Sequence, residues 1–188
     1  MLVRTAEINA ELGLPFGMGK LSGKWVPEEL EREAAWEVLV ELTTRISLVP
    51  VDDEHGSLRE MLSSLRDLFP LIRDILKRYG PGLAAVSVEG SLVSFAHLTV
   101  GLLNGSLRPL LAKWHVALRE HEESKPCDVG PMDWESRWSR APELRGDLAM
   151  VQASLRTYAT ILARVCGAES MLVASRIAPS SALGSVRG

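Results

Sequence analysis

Four residues with chemical potential share one face of a helical segment. His97, Gly101, Asn104 and Arg108 recur at gaps of four, three and four, so their side chains line one stripe. A guanidinium fork, an amide and an imidazole in that order could hold an anionic or amide-bearing small molecule, with the glycine letting it approach the backbone. The competing reading, which the apolar surroundings favour, is the solvated or partner-facing edge of an otherwise buried helix. His97, Asn104 and Arg108 are therefore the candidate ligand-binding residues of an alternative, small-molecule or enzymatic function.

A second constellation is Trp134 and Trp138, one turn apart, with Glu135, Arg137 and Arg140 around them. Tryptophan and arginine are enriched at the energetic centres of protein interfaces, which makes Trp134, Trp138 and Arg137 the candidate interaction residues. The alternative is a short segment that lids one end of a helical domain and buries both rings.

Other chemistries lack their residues. The Gly-Lys pairs at Gly19-Lys20 and Gly23-Lys24 are followed by Leu21 and Trp25, where a phosphate-binding loop needs a hydroxyl. None of His55, His97, His115 or His121 has a glutamate three residues before it, the pattern of carboxylate-bridged metal sites in helical bundles. Glu120-His121-Glu122-Glu123 fans around a helix end instead of converging. No spacing selects a nucleophile, base and orienting acid. The sequence thus implies no metal, no cofactor and no catalytic residue, and the chain reads as a non-enzyme.

The elements that carry these residues announce themselves by periodicity. Leu58, Leu62, Leu65, Phe69, Ile72, Leu76 and Tyr79 alternate gaps of four and three. So do Leu144, Leu148, Val151, Leu155, Tyr158, Leu162 and Val165, and so do Val93, Ala96, Val100, Leu103, Leu107, Leu110, Trp114 and Ala117. A mean period of 3.5 is what helices need to pack side by side. Pro27 opens an earlier helix with the core stripe Ala35, Val38, Leu39, Leu42 and Ile46. With short connections, the expected fold is all-α: an up-down-up-down four-helix bundle.

Details follow from local chemistry. Ser57 and Glu60 form a potential capping box for the second helix, and Pro70 predicts a kink inside it. On that helix Arg59, Arg66, Arg73, Lys77 and Arg78 are interleaved with Asp67 and Asp74, and Asp74 is spaced to pair with Arg78. The third helix, Ser91 to about Glu123, would span roughly 50 Å, and Asn104-Gly105 with Pro109 predicts a bend. Asp133 is placed to cap the tryptophan-bearing segment, and Gly167 to end the fourth helix. Residues 1–24 read as an irregular, glycine-punctuated arm in which only Thr5 to Leu12 could form a helical turn. Residues 25–167 form the bundle domain, and 168–188 a loosely ordered tail.

The composition fits this reading. A chain with 46 % hydrophobic and 24 % charged residues is that of an ordinary soluble protein, and a net charge of −3 argues against nucleic-acid binding. Leu92 to Leu111 is apolar but holds Arg108 and several polar residues, so it is a buried helix and not a membrane span. Cys127 and Cys166 are in no metal or redox spacing, and no secretory leader opens the sequence, so reduced thiols in a cytoplasmic protein are expected. The function expected is that of an interaction subunit or adaptor, working with a protein partner or by self-association.

Overall fold

The computed structural model describes residues 7–45, 57–85 and 93–174. These are mostly helical, with 72 % in helix and 8 % in strand. The strands are the first departure from expectation. The arm expected to be irregular is an antiparallel hairpin of β1 (Ile8–Gly13) and β2 (Lys20–Trp25), with Leu12 opposite Leu21 and Ile8 opposite Trp25. The reason is a period of two: Ile8, Ala10 and Leu12 turn inward, while Glu7, Asn9 and Glu11 face water. The glycines form the connecting loop, where Phe16, Gly17 and Gly19 take positive φ and the Leu14 amide donates to the Gly19 carbonyl at 2.9 Å.

The helices are α1 (Glu29–Thr44), α2 (Leu58–Arg66), α3 (Leu68–Tyr79), α4 (Phe95–Leu102), α5 (Arg108–Glu123), α6 (Pro131–Ser136), α7 (Ala141–Cys166) and α8 (Ser170–Ala174). Along α1, Ala35, Val38, Leu39 and Leu42 are buried as expected; Ile46 and Pro50 lie outside the described residues. α1 packs along α7, α3 lies against α1, and α5 contacts both α2 and α7. The hairpin rests on α7, where Ser154 Oγ donates to the Gly13 carbonyl at 2.8 Å. In α7 all seven seam residues from Leu144 to Val165 are buried, and Gly167 closes the helix in the left-handed region at φ 64°. The first part of the expected tail continues as α8, whose Leu172 is buried; residues 175–188 lie outside the described residues.

Two helices break where prolines remove a hydrogen bond. The second expected helix divides at Asp67, so that Pro70 falls in the first turn of α3, where its missing N–H costs nothing. α4 and α5 are joined by a π-helical turn, Leu103–Leu107, ahead of Pro109. That turn inserts one residue and shifts the phase of the buried stripe. Before it the core residues are Phe95, Leu98 and Leu102, and after it Leu107, Leu110 and Trp114. Val100, which a continuous 3.5 repeat places inside, is 41 % exposed.

Helix starts depart from expectation in an informative way. Ser57 does cap α2, accepting from the Arg59 amide at 3.2 Å, but Glu60 does not complete a capping box. Buried Glu135, arriving from α6, accepts from the Leu58 amide at 2.9 Å and from Ser57 Oγ at 3.2 Å. Glu31 of α1 does the same for α4, accepting from the Phe95 amide at 2.8 Å. It also accepts from Trp25 Nε1 at 3.0 Å and from the Glu28 amide at 3.1 Å. Each carboxylate thus closes a helix N-terminus far away in the chain, satisfying donors that have no intrahelical partner. Asp133 does not cap α6, which begins at Pro131 behind Gly130.

Candidate functional site

The π turn interrupts the stripe between α4 and α5, and the hairpin covers its Gly101 and the neighbouring Gly105. His97, Asn104 and Arg108 are exposed. Arg108 Nε donates to Asn104 Oδ1 at 3.0 Å, and its guanidinium lies 5.6 Å from the Phe69 ring centroid. A Cβ on Gly101 would collide with Leu21 Cδ1, and one on Gly105 would stand 2.7 Å from Leu14 Cδ1. The close approach that glycine permits is made by the hairpin. His97, Asn104 and Arg108 line none of the clefts described below.

The tryptophan segment is bound into the fold. Trp138 is buried, stacks on His121 at 5.3 Å, and meets Trp114 edge-on at 5.8 Å. Trp134 stacks on the other side of His121 at 4.9 Å, and its Nε1 donates to the His121 carbonyl at 2.8 Å. His121 Nε2 lies 2.9 Å from the Trp134 carbonyl, which can only accept, so this nitrogen carries the proton. The cations beside these rings are Arg140 and Lys113, each 4.5 Å from the Trp114 ring centroid, whereas Arg137 is exposed and takes no part in the stack.

Beneath Trp134 lies a cleft of about 350 Å³ between α2, α5 and α6, reached by Arg59, His121, Glu122 and Glu135. Four of its polar groups are tied into the fold. Glu135 caps α2, His121 serves Trp134, and Arg59 holds Glu122 at 2.9 Å through Nε. Arg59 Nη1 also donates to His115 Nδ1 at 3.2 Å. Burial, and then the positive charges of Arg59, Arg66 and Arg119, hold the His115 pKa below its usual value. This arrangement ties α2, α5 and α6 together at the end of the domain.

The site with open valences lies elsewhere, around Trp36 on α1. Trp36 falls outside the core stripe and is 46 % exposed. On one side of it a cleft of about 530 Å³ runs between α1 and α3, floored by Val40, Leu71 and Ile75. On the other side a cleft of about 420 Å³ is bordered by Glu29, Glu33, Tyr79 and Cys166. Glu37 borders both; its Oε1 accepts from Arg78 Nη1 at 2.9 Å and from the Tyr79 hydroxyl at 2.7 Å. That hydrogen bond, together with burial and the Glu37 charge, raises the Tyr79 pKa. Arg78 therefore reaches across to α1 instead of back to Asp74, contrary to the pairing expected from spacing. Among the described residues, Asp74 and Glu33 form neither an ion pair nor a hydrogen bond. Glu41 is paired with Arg45 at 2.9 Å. Burial pushes the Cys166 thiol up to about 11, and its Sγ faces the Arg32 carbonyl at 3.6 Å.

Sequence reasoning passed over Trp36, although a signal was there. In α1 it breaks the polar face defined by Glu29, Arg32, Glu33 and Glu37, and a large indole at such a position needs a reason. Among the described residues no group of three or more His, Cys, Asp or Glu side chains is placed to hold a metal ion, and no helix is long and apolar enough to cross a membrane. No protein-family model, curated protein or solved structure matches the chain.

Proposed function

We propose that this chain is a non-enzymatic interaction subunit or adaptor that works in a larger assembly or as a homo-oligomer, in the cytoplasm, and that it docks through the α1–α3 face. In this reading α1, α2 with α3, α4 with α5, and α7 are the four arms of a bundle that serves as scaffold. The supporting observation is Trp36, an indole 46 % exposed between two open clefts. A half-exposed tryptophan beside concave apolar surface is the typical anchor of an interface, because covering it removes a large apolar area from water. Trp134 and Trp138 are spent on the fold, so they do not compete for this role.

The test is parallel affinity purification of the tagged wild-type chain and Trp36→Ser from the native host, with light scattering of each eluate. Trp36→Ser should melt within about 2 °C of wild type, since an exposed side chain contributes little to stability. The wild type should carry a stoichiometric partner or a second copy that the variant loses. A wild-type protein eluting as a bare monomer, or a partner retained by Trp36→Ser, would overturn the proposal.

A further inference from the structure

Resting on that reading, we infer the chemistry of the occupant: the Trp36 groove takes a cationic amphipathic segment of a protein partner. Its apolar side chains would cover Val40, Leu71 and Ile75 in the larger cleft, and lysines or arginines would lie beside the indole, toward Asp74 on one side and Glu33 on the other. Charge decides the sign. α1 carries Glu29, Glu31, Glu33, Glu37 and Glu41 against the single base Arg32, and of these only Glu31 is buried. Of the bases, Arg78 borders the larger cleft and is paired with Glu37, Arg32 borders the smaller and is paired with Glu29, and Arg73 and Lys77 border neither. Asp74 in the larger cleft and Glu33 in the smaller one, on either side of Trp36, have no counter-ion among the described residues, so an incoming cation would meet charges that are not already neutralised.

The indole adds to this selectivity. Its exposed face attracts cations through the ring quadrupole, and that attraction grows as the pair is desolvated in a concave site. An anionic partner, nucleic acid included, would bring like charge against α1. A second copy docking through the same face would do the same, because a two-fold interface sets a patch against itself. The groove therefore suits a separate, basic protein segment better than self-association.

The probes are three fluorescein-labelled peptides read by anisotropy: an amphipathic leucine–arginine helix, the same helix with glutamates for arginines, and a glycine–arginine peptide of equal charge. The Trp36 indole N–H resonance is followed in parallel. The leucine–arginine helix should bind and shift that resonance, the glycine–arginine peptide should bind more weakly, and the glutamate helix should not bind. Glu33→Gln/Asp74→Asn should weaken binding at least about tenfold, while Glu120→Gln/Asp128→Asn, an equal charge change at exposed positions away from the groove, should leave it unchanged. Equal losses in the two double variants, or binding of the glutamate helix, would overturn the inference. So would a native partner that depends on Trp36 while the leucine–arginine helix fails to bind; in that case the docking face itself would stand.

Discussion

Glu31 is the residue on which three segments converge, and removing its carboxylate tests the architecture directly. The side chain is 4 % exposed, and its two oxygens accept from the hairpin's Trp25 indole, the Glu28 amide and the first amide of α4 at Phe95. In Glu31→Ala the Glu28 amide recovers water, since Glu28 is exposed. Trp25 and Phe95 are 1 % and 0 % exposed, so their donors are stranded. Each stranded buried donor costs about 1–3 kcal/mol, and a helix N-terminus loses a compensating anion as well. The expected loss is about 3–5 kcal/mol, a large part of the 5–15 kcal/mol typical of a domain. Glu31→Gln keeps the volume and one acceptor oxygen and should lose about half as much. Urea unfolding followed by circular dichroism measures both, with Glu33→Ala on the exposed side of the same helix expected within about 0.5 kcal/mol of wild type. Native-state hydrogen exchange should show the hairpin and the start of α4 opening together in Glu31→Ala, because one side chain holds both. A loss in Glu31→Ala no greater than that in Glu33→Ala would refute the reasoning.

Three further outcomes follow from the same geometry. Gly105→Ala should gain less than the ~1 kcal/mol that alanine's helix propensity offers, because the new methyl must push aside Leu14 Cδ1 at 2.7 Å, and the full gain should return in a Leu14→Ala background; a full gain in the wild-type background would contradict the close hairpin contact. The His115 pKa is lowered in the folded state, so as pH falls below about 6.5 the unfolded chain binds a proton that the folded chain resists. Its contribution is thus complete above that pH and is lost on acidification, with a slope of at most about 1.4 kcal/mol per pH unit; His115→Asn should remove that component from the pH dependence of stability, and an unchanged profile would refute the assignment. With Ellman's reagent at pH 8, exposed Cys127 should react first; half-buried Cys166, with a pKa of about 11 and roughly one thiolate in a thousand, should react at least about a hundredfold more slowly, whereas equal rates would contradict its burial.

The helices were legible because a seam repeats often enough to outvote single residues. Seven positions of α7 agree, and all seven are buried. The hairpin was not read because its alternation spans only six residues per strand, and Gly13, Gly17, Gly19 and Gly23 draw attention to punctuation instead of to Ile8, Ala10 and Leu12. The π turn escaped for a different reason. Pro109 and Gly105 marked the place where the helix must yield, but a bend and an inserted residue are equally good answers to a missing hydrogen bond. The geometry distinguishes them: Leu103–Leu107 is a π turn, and assuming a continuous repeat put Val100 on the wrong side.

The site was harder to read because its determinants are pairs distant in sequence. Spacing rules reach one helical turn, so they offered Arg78 to Asp74 and Glu60 to Ser57. In the fold Arg78 goes to Glu37, 41 residues away, and Ser57 caps α2 together with a carboxylate supplied by Glu135, 77 residues from Leu58, and not by Glu60. Both choices have one physical cause. A local pair on an exposed helix face gains only a few tenths of a kcal/mol, so any nearer or less solvated partner supplied by packing displaces it. Displacement leaves its own trace. A charge whose local partner has been taken by another helix is left without a counter-ion, as Asp74 is among the described residues, and such a charge at the rim of a groove can meet a partner from outside the chain. On the α1–α3 face the unmet spacing rules bear on the docking surface we propose. Here they lead to Asp74 and, across the groove, to the indole of Trp36.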